Sequence, residues 1–414
     1  MSSPQPWQTD RWFVSPWNYV DEVRSQLHFP PRIQIHDVTL RDGEQQAGVI
    51  FTKEDKIRIA EALAQLGVHR IEAGMPAVSP DDAEAIREIV KRNLGPRIYA
   101  FSRCMVDDIK RAVDCGVSGV VVEIPSSAHL IQHAYRWPLQ KAIDLSIEAT
   151  AYAHQQGLEV VFFPIDFTRA DIRWVLDLIT QVATHGHMDA LVLVDTFGVC
   201  SPHAMTYFVR NVKERVNVRL EAHFHMDFGL GVANTLIALA NGVEVMHTTV
   251  LGLGERAGNT PMEETVMALL ALYGIDVGIN YSRLYEVAKL VQQLSGQSFP
   301  TNRPVVGDGL FQIESGIIAS WFRNCGYEKV TELFPYRWEV VGQRPAEVVM
   351  GKGSGLDSVK MWLERLGVQA TEEEVARILM TVKAHALRTK RLLSEMEFRE
   401  IVEEILGPER VPAR

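Results

Sequence analysis

The sequence predicts an α/β protein, a TIM (β/α)₈ barrel followed by a smaller, mostly helical C-terminal region. Three observations carry that prediction. From residue 33 onward, eight short runs rich in β-branched residues alternate with longer amphipathic segments, which is the pattern of βα units around a parallel sheet. The eight units occupy barrel-sized length, roughly 240 residues, where an open doubly wound sheet has fewer strands. No run carries the glycine-rich first turn of a dinucleotide-binding sheet.

The eight runs are Ile33–Leu40, His69–Met75, Arg97–Arg103, Gly119–Pro125, Leu158–Asp166, Met188–Thr196, Arg219–Met226 and Val243–Gly252. Helix-start signals stand between them. Thr52-Lys53-Glu54-Asp55 resembles a capping box ahead of Lys56–Leu66, and Ser79-Pro80 opens Asp81–Arg92. Gly67, Gly116, Gly157 and Gly242 stand where left-handed helix ends are expected. After about residue 272 the pattern turns helical, over Tyr281–Ser295 and Glu372–Ile405, with the Pro- and Gly-containing stretch Gly342–Gly355 between.

A chain of 414 residues exceeds what one core usually organises. The expected divisions are an N-terminal arm at 1–30, a catalytic barrel at 31–275, a linker and helical subdomain at 276–355, and a C-terminal helical subdomain at 356–414. The arm holds Trp7, Trp12 and Trp17, which suits packing against another surface.

Composition narrows the function. The chain is 47% hydrophobic and 23% charged, with a net charge of −10 and no basic run, so a polyanion is repelled and nucleic acid is excluded as a partner. Cys104, Cys115, Cys200 and Cys325 form no CxxC pair, which suits reduced thiols. No basic start with an apolar segment opens the chain, and no uncharged apolar run of about 18 residues follows, so no membrane association and a cytoplasmic location are expected.

The chemical signal begins at His223-Phe224-His225. Residues two apart on a strand share a face, so both imidazoles enter the barrel near its catalytic end, although spacing alone fits core histidines equally well. Asp42 tips the balance. It follows the first run within Thr39-Leu40-Arg41-Asp42-Gly43-Glu44-Gln45 and reaches the same mouth, because strands one and eight close a barrel. Two neutral imidazoles and a carboxylate suit a divalent metal (Mg²⁺, Mn²⁺, Zn²⁺ or Co²⁺), which polarises a carbonyl beside an enolate. Arg41 can stabilise an oxyanion, or simply pair with Asp42. Glu72, ending the second run, can orient Arg41 or act as a base. The glycine-rich loop Leu251–Asn259 places Asn259 at the mouth as a further oxygen ligand or a partner of the metal site.

Leu40-Arg41-Asp42-Gly43-Glu44-Gln45, His223-x-His225 and Gly252-x-Gly254-Glu255-Arg256-Ala257-Gly258-Asn259 together resemble the DRE-TIM metallolyase superfamily, most closely its isopropylmalate, citramalate and homocitrate synthase branch. Arg103-Cys104-Met105-x-Asp107-Asp108, Asp195-Thr196-x-Gly198, Phe311-x-x-Glu314-Ser315-Gly316-Ile317 and Gly351-Lys352-x-Ser354-Gly355 extend the resemblance over roughly residues 33–355. It implies a metal on Asp42, His223 and His225 with Asn259 close by, and condensation of an acyl-CoA, acetyl-CoA foremost, with a 2-oxo acid. Arg41 would stabilise the oxyanion, while Arg103, Thr196 and His129 would bind substrate. It also implies a homodimer, with the leucine-feedback domain of full-length isopropylmalate synthases expected to be absent.

Departures fall on the groups that move protons. The family's catalytic Glu of strand five is matched by Ile165, the His after Glu-Ser-Gly-Ile by Ile318, and the His of Gly-Lys-His-Ser-Gly by Gly353. Met226 stands where the family has an amide after His-x-His. Phe163 and Ile165 point to a bulkier acceptor. The base must then be sought among Glu72, His129 and His133, with His129 foremost because an imidazole titrates near neutrality. Two other readings stay open: a carbon–carbon lyase like 3-hydroxy-3-methylglutaryl-CoA lyase, and a catalytically silent binding or regulatory barrel. That lyase carries a cysteine in the strand-eight loop, and Gly252–Asn259 has none.

Overall fold

The computed structural model describes residues 5–412; the first four residues of the expected arm and the last two of the expected C-terminal subdomain lie outside the described residues. Eight parallel strands close into a barrel in sequence order: β1 (Gln34–Asp37), β2 (Arg70–Glu72), β3 (Arg97–Arg103), β4 (Gly119–Pro125), β5 (Glu159–Ile165), β6 (Ala190–Asp195), β7 (Arg219–Phe224) and β8 (Val245–Thr248). β8 pairs with β1 from Gln34↔Val245 to Asp37↔Thr248, which is the closure that brings the first and last loops together.

Several strands are shorter than their apolar runs. The run Ile33–Leu40 continues past β1, but after Asp37 the backbone turns sharply. The Val38 carbonyl accepts from the amides of Arg41, Asp42 and Gly43 at 3.2, 2.9 and 3.1 Å, so Asp42 rides on a tight loop rather than on a strand end.

Each strand is followed by an outer helix: α1 (Lys53–Leu66), α2 (Pro80–Lys91), α3 (Val106–Asp114), α4 (Leu139–Gln155), α5 (Ile172–His185), α6 (Pro202–Lys213), α7 (Gly231–Ala240) and α8 (Met262–Tyr273). The capping box forms as expected: Thr52 Oγ1 accepts from the Asp55 amide at 3.2 Å, and the Asp55 carboxylate accepts from the Thr52 amide at 3.1 Å. Gly67 ends α1 with φ of 99°, a left-handed value that side chains resist.

The barrel floor is ionic. Arg70, fully buried on β2, donates to Glu221 at 2.8 Å and to Glu159 at 3.4 Å, and Tyr99 donates to Glu159 at 2.8 Å. Such a network has little net worth against an apolar core, yet removing one member strands a buried charge at about 3–5 kcal/mol. It fixes the register on which the mouth is built.

The chain forms two compact units, Pro16–Phe299 and Met1–Ser15 with Pro300–Arg414. The arm is therefore shared. Trp12 bridges to Tyr336 in the second unit, whereas Tyr19 donates to the Ala271 carbonyl of α8 at 2.9 Å in the first. Helix α9 (Leu284–Ser295) completes the barrel unit. The second unit holds the short parallel pair β9 (Gln312–Ile313) and β10 (Glu347–Val348) and the helices α10 (Gly316–Cys325), α11 (Leu356–Leu366), α12 (Glu372–Thr389) and α13 (Glu395–Leu406). Ile318 lies on α10.

Candidate active site

The β1 loop, the end of β7 and the loop after β8 bring four polar side chains together at the C-terminal end of the barrel. His223 Nε2 lies 3.3 Å from His225 Nε2 and 3.3 Å from Asp42 Oδ2, which is 3.8 Å from His225 Nε2. The Asn259 backbone bridges to His225. All four residues are buried. Glycine makes this loop geometry reachable: a Cβ on Gly258 would stand 2.0 Å from the Gly252 oxygen, and one on Gly254 would stand 2.1 Å from Asn259 Nδ2.

The electrostatics leave lone pairs facing one another. Burial pushes both imidazoles toward the neutral form, His225 down to about 4. Burial opposes ionisation of Asp42, but the Arg41 charge and the two imidazoles overcome it and hold the carboxyl well below the usual range. Asp42 Oδ1 and Asn259 Oδ1 have no hydrogen-bond partner among the described residues. Buried acceptors without donors are costly, and a divalent cation satisfies this donor set. Asp42, His223 and His225 therefore form a candidate metal group.

A second group, His36, Glu221 and His247, lies deeper in the barrel. Here each histidine already gives Nε2 to a carboxylate, His36 to Glu72 at 3.1 Å and His247 to Glu221 at 2.8 Å, and the two rings stack at 4.4 Å. This group braces Glu72.

Arg41 stands over the Phe101 ring at 3.9 Å. Its Nε donates to Glu72 and its Nη1 to Asp42 at 2.9 Å, so pairing with Asp42 occurs; yet Nη2, buried, has no partner among the described residues and remains available to an oxyanion. Glu72 is fully buried. Burial would raise it, but Arg41 and His36 outweigh that effect and hold it at about 2. Both its oxygens are engaged and it stays ionised, so of the two roles open to it the geometry supports orienting Arg41 and not moving a proton.

The remaining expected residues separate. His129, in the helical stretch Ala128–Leu130, is half exposed, with Nε2 3.1 Å from Asp166 Oδ2. Asp166 also accepts from Arg169 at 2.6 and 3.1 Å, and its amide donates to Thr196 Oγ1 at 2.8 Å. His129 and Thr196 thus share one polar cluster. Arg103 does not join it: Asp108, at the start of α3, takes the guanidinium at 2.7 and 3.0 Å. His133 is exposed.

One group escaped the sequence. Glu123 of β4 pairs in register with Arg103 on β3 and Phe163 on β5, and so faces the barrel interior at the mouth. A lone carboxylate near the C-terminal end of an apolar strand was the available signal.

Comparison with known proteins places this geometry. The 3-hydroxy-3-methylglutaryl-CoA lyase of Bacillus subtilis superposes with a TM-score of 0.60 at 22% identity, covering 66% of this chain and 97% of that one, which shows a shared fold. Homocitrate synthase AksA of Methanothermobacter thermautotrophicus is 36% identical over 398 residues, 96% of this chain and 99% of the relative. The 2-isopropylmalate synthase of Methanocaldococcus jannaschii is 34% identical over 394 residues, 94% of this chain and 74% of the relative. With the HMGL-like family model matching residues 32–291, the chain belongs to the HMGL-like family.

Proposed function

We propose that this protein is a divalent-metal-dependent acyltransferase that condenses an acyl-CoA, acetyl-CoA foremost, with a 2-oxo acid. The observation that carries the reading is the convergence of Asp42, His223, His225 and Asn259 beside the one unpartnered donor of Arg41. The names of its synthase relatives favour condensation over cleavage.

Asp42, His223 and His225 would hold the metal, with Asn259 as a further oxygen ligand. When bound, such a cation polarises a carbonyl as a Lewis acid. Arg41 Nη2 receives the oxyanion that develops on the acceptor, and Glu72 keeps the guanidinium in place. His129 and Thr196, joined through Asp166, bind the acceptor carboxylate at the rim. The aromatic faces of Phe101 and Phe163 exclude water around Arg41, which strengthens each polar contact there.

No helix among the described residues is long and apolar enough to cross a membrane, and the proposed location is the cytoplasm. The exposed apolar side chains Ile317, Trp321, Leu387 and Met396 of the second unit support a homodimer.

The test is thiol release from acetyl-CoA with Mg²⁺ or Mn²⁺ and a panel of 2-oxo acids, beside a screen for 3-hydroxyacyl-CoA cleavage. Release that depends on both the metal and a 2-oxo acid is expected. Cleavage without any condensation contradicts the reading.

A further inference from the structure

Condensation needs a group that removes a proton from the carbon beside the thioester carbonyl, and the mouth of the barrel leaves few carboxylates free for it. Among the described residues, Glu72 is held by Arg41 and His36, Asp166 by Arg169 and Ser127, and Asp227 by Arg256. Asp195 accepts from Thr168 and from the amides of Val199 and Cys200. Asp108 is held by Arg103, and Glu44 by Lys56. Glu123 has no ion pair among the described residues.

Its surroundings explain why. On one side β5 presents Phe163, its register partner, and Ile165, paired with Pro125; neither titrates. On the other side β3 presents Arg103, whose guanidinium is turned to Asp108. Tyr135, at the end of the helical stretch Ile131–Tyr135, lies near enough to Glu123 to lower its carboxyl. Arg41 acts on it from the β1 loop by charge alone. Glu123 is only partly buried, so a substrate can reach it.

We propose that Glu123 is the catalytic base of this protein, taking a proton from the carbon beside the acyl-CoA carbonyl. The proposal rests on the condensing function argued above. The C–H bond breaks and its proton passes to a Glu123 oxygen. The electron pair forms the enolate, with charge on the thioester oxygen, until the carbon attacks the acceptor carbonyl.

The environment suits the task. Burial raises the carboxyl more than Arg41 and Arg103 lower it, leaving it at about 7, with Asp108 adding to the rise and Tyr135 lowering it. A base near the working pH is the most effective compromise between being ionised and being basic. His129 is the weaker claimant, since its Nε2 is turned to Asp166 and Ser127.

The experiment uses the full chain loaded with Mn²⁺ and compares wild type with Glu123→Gln and Glu123→Asp. Two readouts are followed: thiol release against pH with each active 2-oxo acid, and uptake of solvent deuterium into the methyl group of acetyl-CoA. Glu123→Gln is expected to lower turnover at least about 100-fold, to abolish the pH limb near 7 and to stop deuterium uptake. Its KM values and Mn²⁺ affinity should stay near wild type. Glu123→Asp should keep the limb with partial turnover, which a purely structural role does not explain. Thiol release by Glu123→Gln with turnover and limb unchanged overturns the assignment while leaving the condensing function standing. Deuterium uptake that needs Glu123, with no thiol release from any acceptor, refutes the condensing function and leaves Glu123 as the base.

Discussion

Glu72→Gln tests how the oxyanion group is held. The wild-type carboxyl sits at about 2 against an ordinary 4.5, a difference of about 2.5 units. At about 1.4 kcal/mol per unit, its ionised form contributes about 3.5 kcal/mol to folding, comparable to the cost of breaking a buried ion pair. Because the folded value is depressed, this contribution is fully present above pH 4.5 and is lost as pH falls toward 2. Glutamine keeps the shape and an acceptor for Arg41 Nε but removes the charge. The melting temperature at pH 7 should fall by roughly 5–10 °C, and the gap to wild type should hold from pH 5 to 8 and narrow below about 4.5. Turnover should drop on the order of 100-fold as Arg41 loses its orientation. Thermal melts across pH and initial rates with saturating metal decide it. A variant that melts with the wild type at pH 7, or a gap that widens on acidification, refutes the argument.

Mn²⁺ at a hundred times its dissociation constant should stabilise the wild type by about 2.7 kcal/mol in a denaturant titration. His225→Ala should lose that gain; an equal metal-induced shift in the variant would move the metal elsewhere. His129→Ala should raise the KM for the 2-oxo acid by roughly 10–100-fold, the worth of one hydrogen bond to a charged group, with turnover nearly kept. A fall of about a hundredfold in turnover at constant KM would instead restore His129 as the base. Ile165→Glu places a carboxylate about 8 Å diagonally from Glu123, where like-charge repulsion of about 2 kcal/mol should move the pH limb up by about 1.5 units. A limb that stays in place would show that Glu123 is not the group titrating in the rate profile.

The barrel and the convergence of Asp42, His223 and His225 were readable because both rest on short periods. The alternation of side chains on β7 puts His223 and His225 on one face, and the pairing of β8 with β1 follows from closure alone. What escaped depended on register or on distant partners. The Val38–Leu40 run looks like strand until the Val38 carbonyl is seen collecting three amides. Nothing in the spacing of Arg103 reveals that the opening turn of α3 returns Asp108 to it. Trp12 finds Tyr336 from the far end of the chain. Glu123 is one charge in the run Val120–Pro125, and only its pairing with Phe163 shows that it shares a face with Ile165.

That pairing bears on how a carboxylate on β4 could serve a site where β5 carries Ile165. Glu123 on β4 is in register with Phe163 on β5, and Ile165 stands two residues further along β5 on the same face, closer to the mouth. An acid at Glu123 on β4, rather than at residue 165 on β5, leaves the β1, β7 and β8 segments untouched, and with them Asp42, His223, His225 and Asn259. The Glu123 carboxylate also sits in a different field from residue 165. It lies within the influence of the Arg41 charge, with no cation paired to it directly among the described residues, and near Tyr135. If Glu123 is the base, metal binding and proton movement rest on different strands, so substitutions on β4 and β5 are expected to change the pH profile while leaving Mn²⁺ affinity, set by β1, β7 and β8, near wild type.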